Sequence, residues 1–262
     1  MQPADGGSNS IYSVKRTGLA RFRKIEQARK KASDLHARAG RCMALGKYSA
    51  AEVAFRAGTR SANALKSHDP QLLVALLNDL AVLYKYTDRL AAAQQTYQRA
   101  LRILNASEHP DANSIATLYH NLAGAAFAKR RYRVALRQAR LGIKIRKAAR
   151  PVDVVALACD EAAFAAILAE TGDGTSALNI LSHALRVFRG KLGPRHYEVG
   201  AALANMGVLQ WKAGRANLAR RTLSRSISIL NRALGRGHPR TAIAIRNLEM
   251  IKAHAHHRTN IS

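Results

Sequence analysis

The chain has 262 residues, 48% of them apolar, which fits one solenoid or two small globular domains and excludes disorder over most of its length. Lys and Arg total 43 against 16 Asp and Glu, and the net charge of +27 predicts attraction to nucleic acid, anionic membrane surfaces or acidic proteins. No apolar run reaches the roughly eighteen residues of a membrane span, the opening stretch lacks a secretory h-region, and Cys42 and Cys159 are too few for a disulfide framework or a structural zinc site.

Read from the N-terminus, residues 1–18 are expected to form a flexible polar and basic tail. The overlapping stretch "IYSVKRTGLARFRKIEQARKK" is basic and mildly amphipathic, with Glu26 its only acid. It reads first as a helix capping the first repeat, and otherwise as an organelle-targeting remnant, a membrane-surface helix or a ribonucleoprotein-binding arm.

From there on a repeat organises the chain. Gly46, Asp88, Arg130, Gly172 and Gly214 lie 42 residues apart, and so do Ala51, Ala93, Ala135, Ala177 and Ala219. A third column, Ala39, Ala81, Ala123, Ala165 and Gly207, holds only small residues. Within each unit apolar residues recur at three- and four-residue steps on both sides of a break, the pattern of two amphipathic helices. Small residues in the alanine columns allow the paired helices to approach closely.

The expected helices, in chain order, are 19–45 and 47–66, 70–86 and 89–106, 110–128 and 131–149, 151–171 and 174–191, 195–213 and 216–234, with an unpaired helix at 238–256. Apart from Pro3, every proline precedes the first helix of a unit, where its missing N–H costs nothing, and Asp69-Pro70 combines a capping aspartate with a first-turn proline. The fold class is therefore all-α, a right-handed α-solenoid of five helical hairpins plus a C-terminal capping helix. It is expected as one domain over 19–257, followed by a tail at 258–262. Cys42 and Cys159 fall in the first and fourth hairpins, too far apart to join, so a reducing intracellular compartment is expected, cytoplasm or mitochondrial matrix.

Small residues in the first helix, a glycine turn, then alanine, aromatic and alanine in the second resemble a tetratricopeptide repeat. Ala81, Tyr84, Ala93, Tyr97 and Ala100 carry that likeness, as does "WKAGRANLARRTL" around Gly214. The 42-residue period, with "LGPRHYEVGAALANMG" and "LGRGHPRTAIAIRNLE", is similar to the kinesin light chain group over about residues 28–256. Arg130 and Gly142 depart from the pattern, where glycine and alanine are typical. The resemblance implies a scaffold or adaptor that holds a partner's peptide or helix in a concave groove.

Asn121, Asn205 and Asn247 occupy the phase of the leading helices that lines the groove in the resembled group, together with Asp79, while Ala163 breaks the column. An amide there can donate to and accept from a peptide backbone without imposing charge. Asn78, His120 and Arg246, one residue earlier, border the same surface. Tyr84, Phe127 and Trp211 read as core before they read as groove wall.

The second feature is charge. Arg60, Arg102, Lys144 and Arg186 are 42 apart on second helices, and Arg133, Arg137, Arg140, Lys144 and Lys147 make one stripe on a single helix. Lys129 to Arg150 contains ten basic residues and no acid, and no acid lies between Glu198 and Glu249, a stretch that includes Arg221 and Arg225. Such a ridge could follow a phosphate backbone or an acidic protein, and the sparse aromatics argue against base stacking.

The remaining motifs are weak. His254 and His257 have no carboxylate or cysteine beside them, and "TGDG" at 171–174 has neither the length nor the lysine of a phosphate loop. The expectation is a non-catalytic protein-binding scaffold with no cofactor, metal or small-molecule substrate. The alternative is a structural component of an RNA-containing assembly, such as an organellar ribosome, held through the arginine-rich surface.

Overall fold

The computed structural model describes the backbone of residues 8–65 and 69–259 and the side chains of residues 20–65 and 69–253. In chain order the helices are α1 (Ser8–Ala44), α2 (Tyr48–Asn63), α3 (Pro70–Tyr86), α4 (Leu90–Asn105), α5 (Ala112–Ala128), α6 (Tyr132–Ala148), α7 (Val154–Glu170), α8 (Gly174–Leu192), α9 (Tyr197–Lys212), α10 (Ala216–Leu234) and α11 (Pro239–Thr259). Among the described residues there is no strand, and no helix is long and apolar enough to cross a membrane. The expected helices all form, with ends within a few residues except at the start of α1, where residues 8–18 of the expected tail are helical. α1 differs most, starting at Ser8 rather than near residue 19. Gly18 lies inside α1, since one glycine costs a helix only about 1 kcal/mol and does not break it.

The turn inside each hairpin explains the first repeat column. Gly46, Asp88, Arg130, Gly172 and Gly214 all have positive φ, between 57° and 96°. At Arg130 its own N–H bonds the carbonyl of Phe127 and the next N–H bonds that of Ala126, at 2.8 and 2.9 Å. The same pair of bonds recurs at Gly214, and these close off carbonyls the ending helix would otherwise leave open. Asp88 and Arg130 accept the left-handed conformation that glycine would adopt without strain.

The chain divides into two compact units, Met1–Thr87 with Gln95–Pro110, and Asp88–Gln94 with Asp111–Ser262. In the smaller unit α1 packs along α2, and α2 against α3. Asp69 caps α3, its carboxylate accepting from the Leu72 N–H, as the Asp-Pro pair predicts. The core is formed by side chains such as Ala39, Phe55, Leu73, Leu77 and Tyr97.

In the larger unit α5–α6, α7–α8 and α9–α10 are antiparallel hairpins, each second helix packs on the leading helix that follows, and α11 closes on α10. Alanine does the close packing: Ala165, Ala177 and Ala184 are wholly buried beside Leu181 and Phe188. At Gly207 the approach is closer still, since a Cβ there would lie 2.7 Å from Leu223 Cγ. Asp111, Asp153 and Asp173 accept from backbone N–H groups at the starts of α5, α7 and α8. At α9 a histidine does the same work, His196 Nδ1 accepting from the Glu198 N–H at 3.2 Å.

Candidate functional site

The leading helices of the larger unit line a cleft of about 260 Å³. Alanines form much of its wall: Ala162 and Ala163 from α7, and Ala201, Ala202 and Ala204 from α9. Side chains without bulk leave room between helices, so the cleft follows from the same alanine richness that lets the hairpins pack. Buried Phe188 and Leu230 supply apolar depth, and Ile243 of α11, 47% exposed, stands at the edge.

Polar groups converge on this apolar floor. His120 from α5 and Asn205 from α9 line the cleft, as do Glu198 and Arg240. Glu198 and Arg240 are one repeat apart in sequence, and the Arg240 Nη1 donates to both Glu198 oxygens at 3.2 Å. The Arg240 guanidinium also lies 5.3 Å from the centre of the Tyr197 ring. Burial, and then Glu198 against the opposing pull of Arg240, raises the Tyr197 hydroxyl above its ordinary range. Cys159, half-buried in the cleft wall, is pushed up to about 12 by burial first and then by Glu198, which keeps it a neutral thiol. Neither Cys42 nor Cys159 is in a disulfide.

One wall is anchored by a buried ion pair. Arg146 Nε donates to Asp160 Oδ2 at 2.5 Å, with 4% and 5% of the two side chains exposed. The other Arg146 nitrogens reach the Asn113 carbonyl, Asn113 Oδ1 and Thr117 Oγ1, at 3.4, 3.3 and 3.0 Å. The second Asp160 oxygen lies 3.0 Å from His120 Nδ1, on a ring that lines the cleft. Sequence reasoning missed this arrangement, placing Arg146 only within a basic run. The repeat does carry a signal for it. Arg146 falls in a column otherwise made of buried Ala62, Leu104, Phe188 and Leu230. Asp160 falls in one that holds exposed Asp34 in the first hairpin and, from the second onward, buried Leu76, Leu118, Ala202 and Ala244. Two charged departures of opposite sign, in two core columns, mark a compensating pair.

Of the residues expected in the groove, His120 and Asn205 line this cleft. Asn121 is 9% exposed and thus largely closed off, Asn247 is half-buried on α11, and Arg246 is exposed. Asn78 and Asp79 belong to the smaller unit, where Asp79 accepts from Asn78 at 3.0 Å and lies 2.7 Å from His36 Nε2 of α1. Tyr84 is core, as expected, while Phe127 and Trp211 are half-buried against apolar clusters. The expected basic residues are all exposed: Arg60, Arg102, Arg133, Arg137, Arg140, Lys144, Lys147, Arg186, Arg221 and Arg225. The His254 and His257 side chains lie outside the described residues. Among those described, no cluster of three or more His, Cys, Asp or Glu is placed to hold a metal.

The sequence profile described as "Tetratricopeptide repeat" matches residues 71–148 and 160–232. No curated protein is a significant match. Among solved structures, BtubC (BKLC) from P. vanneervenii is similar with a TM-score of 0.57 at 20% identity, over 90% of this chain and 84% of that one. The apo form of RapI matches with a TM-score of 0.60 at 16% identity, over 77% of this chain and 70% of its own. A putative kinesin light chain of nearly identical TPR-like repeats from Podosopora anserina reaches 0.56 at 16% identity, over 76% of this chain and 94% of that one. At these identities the likeness is one of fold.

Proposed function

The chain belongs to the tetratricopeptide repeat family, and from that premise we propose that it is a non-catalytic scaffold holding a partner's peptide or helix in the cleft between α7, α9 and α11. The family is generally non-catalytic and its fold is suited to protein–protein interaction. The observation that carries the reading is the cleft itself, an apolar floor of small side chains bordered by His120, Asn205, Glu198 and Arg240. Such a floor accepts an inserted side chain of the partner. Asn205 offers a donor and an acceptor to its backbone, and the opposed charges of Glu198 and Arg240 orient it. The two free thiols fit work in a reducing compartment.

The test is selection of binders from a random peptide library, followed by calorimetry against two variants. Ala201→Phe fills the cleft and leaves every polar residue in the chain, and Asn205→Ala removes the amide while keeping the space. Binders that lose at least tenfold in affinity to Ala201→Phe, and less to Asn205→Ala, support the reading. Selected peptides indifferent to Ala201→Phe would overturn it.

A further inference from the structure

The three second helices of the larger unit, α6, α8 and α10, contain no carboxylate. Acids of the same unit lie on the leading helices, as Asp160, Glu161, Glu170 and Glu198 do, or at helix starts. Basic residues are distributed the opposite way. On α6, Arg133, Arg137, Arg140, Lys144 and Lys147 are all exposed. On α8 they are Arg186, Arg189 and Lys191, and on α10 Arg220, Arg221, Arg225 and Arg232. Lys147 meets Glu161 at 3.1 Å, and among the described residues the others have no carboxylate partner.

The repeat register aligns these cations. Arg137 and Arg221 occupy one repeat position, as do Lys144 and Arg186, and Lys147 and Arg189. All six are exposed, so consecutive hairpins extend one positive face. Along α6 the steps of three and four residues are about 4.5–6 Å each, giving a row roughly 21 Å long.

We propose that this face of α6, α8 and α10 binds the phosphodiester backbone of a nucleic acid without reading its sequence. Its cations are fixed on packed helices, in rows that a chain of regularly spaced phosphates can follow. Six of the seven on α8 and α10 are arginine, whose planar fork takes a phosphate through two hydrogen bonds. Among the described residues no exposed Phe, Tyr or Trp lies on these helices to stack a base. The large exposed apolar residues there are Val134, Leu141 and Leu218, at 36–39%, too little for insertion into a lipid surface. The face is carried by helices other than those whose polar residues border the cleft, so it stands independently of the cleft's role.

The experiment uses the intact, nuclease-treated protein and fluorescence anisotropy with labelled mixed-sequence duplex RNA, duplex DNA and single-stranded RNA between 50 and 200 mM salt. Neutralising about five phosphates gives a log–log salt slope of about −4.5 on duplex and −3.5 on single strand, and the three arms identify which nucleic acid is preferred. Arg137→Glu/Arg140→Glu/Lys144→Glu should weaken binding at least a hundredfold and flatten the slope by about 3. The control Lys30→Glu/Lys31→Glu/Arg38→Glu makes the same change in net charge on exposed positions of α1 and should leave affinity within threefold. A slope shallower than −2, or a control variant as damaging as the α6 variant, overturns the proposal. So does tighter binding to polyglutamate or phosphatidylserine vesicles, which would assign the face to an acidic protein or a membrane.

Discussion

Arg146 and Asp160 stand where neighbouring repeats place apolar side chains, and removing either one alone should be far worse than removing both. With 4% and 5% of the two side chains exposed, Arg146→Leu leaves an uncompensated carboxylate and Asp160→Leu an uncompensated guanidinium. Each single variant is expected to lose about 3–5 kcal/mol. At about 2–4 °C per kcal/mol for a domain of this size, that is on the order of 6–20 °C in Tm. The double variant places leucine at both sites, as its own repeat equivalents Leu104 and Leu118 do. It also releases Asn113 and Thr117, which are only half-buried and can turn to water. It should therefore lie within about 1 kcal/mol of the parent or above it. Urea unfolding followed by circular dichroism measures all four proteins, a shift in midpoint at constant m reporting stability alone. Singles costing under 1 kcal/mol, or a double as unstable as the sum of the singles, would refute the compensation argument.

Other consequences follow from the turns and caps. Arg130→Gly relieves a side chain held at φ 57°; set against the entropy glycine loses on folding, the net gain should be about 0.5–1 kcal/mol, read as a higher melting temperature. His238 Nδ1 accepts from the Arg240 N–H at 3.2 Å, and burial first, then Arg240, holds its pKa below the ordinary 6.5. The unfolded chain then takes up that proton more readily, so stability is full above about pH 6.5 and falls as the pH drops through the folded value. His238→Asn keeps an acceptor that does not titrate and should flatten the stability profile measured between pH 7.5 and 5.

The hairpins were legible in the sequence because a 42-residue period repeats both the turn and the apolar phase, and each occurrence reinforces the others. The positive-φ column was readable through its glycines at 46, 172 and 214, which also predicts the strain at Asp88 and Arg130. The asparagine column was a weaker guide. Equivalent backbone positions do not guarantee equal exposure, and Asn205 lines the cleft while Asn121 is nearly closed off. How open a position is depends on the size of side chains from other helices, which no single column records.

Charge divides in the same way. The sequence by itself determined the helical repeat, the caps at Asp69 and the positive second helices, because these depend on spacing along one chain segment. Only the tertiary structure decided that Arg146 leaves the basic surface to bury itself against Asp160, a residue 14 positions away on the next helix. Likewise it decided that Glu198 and Arg240, one full repeat apart, meet at the cleft. Those pairings exist because packed helices bring distant residues within hydrogen-bonding reach while excluding the water that would otherwise solvate them.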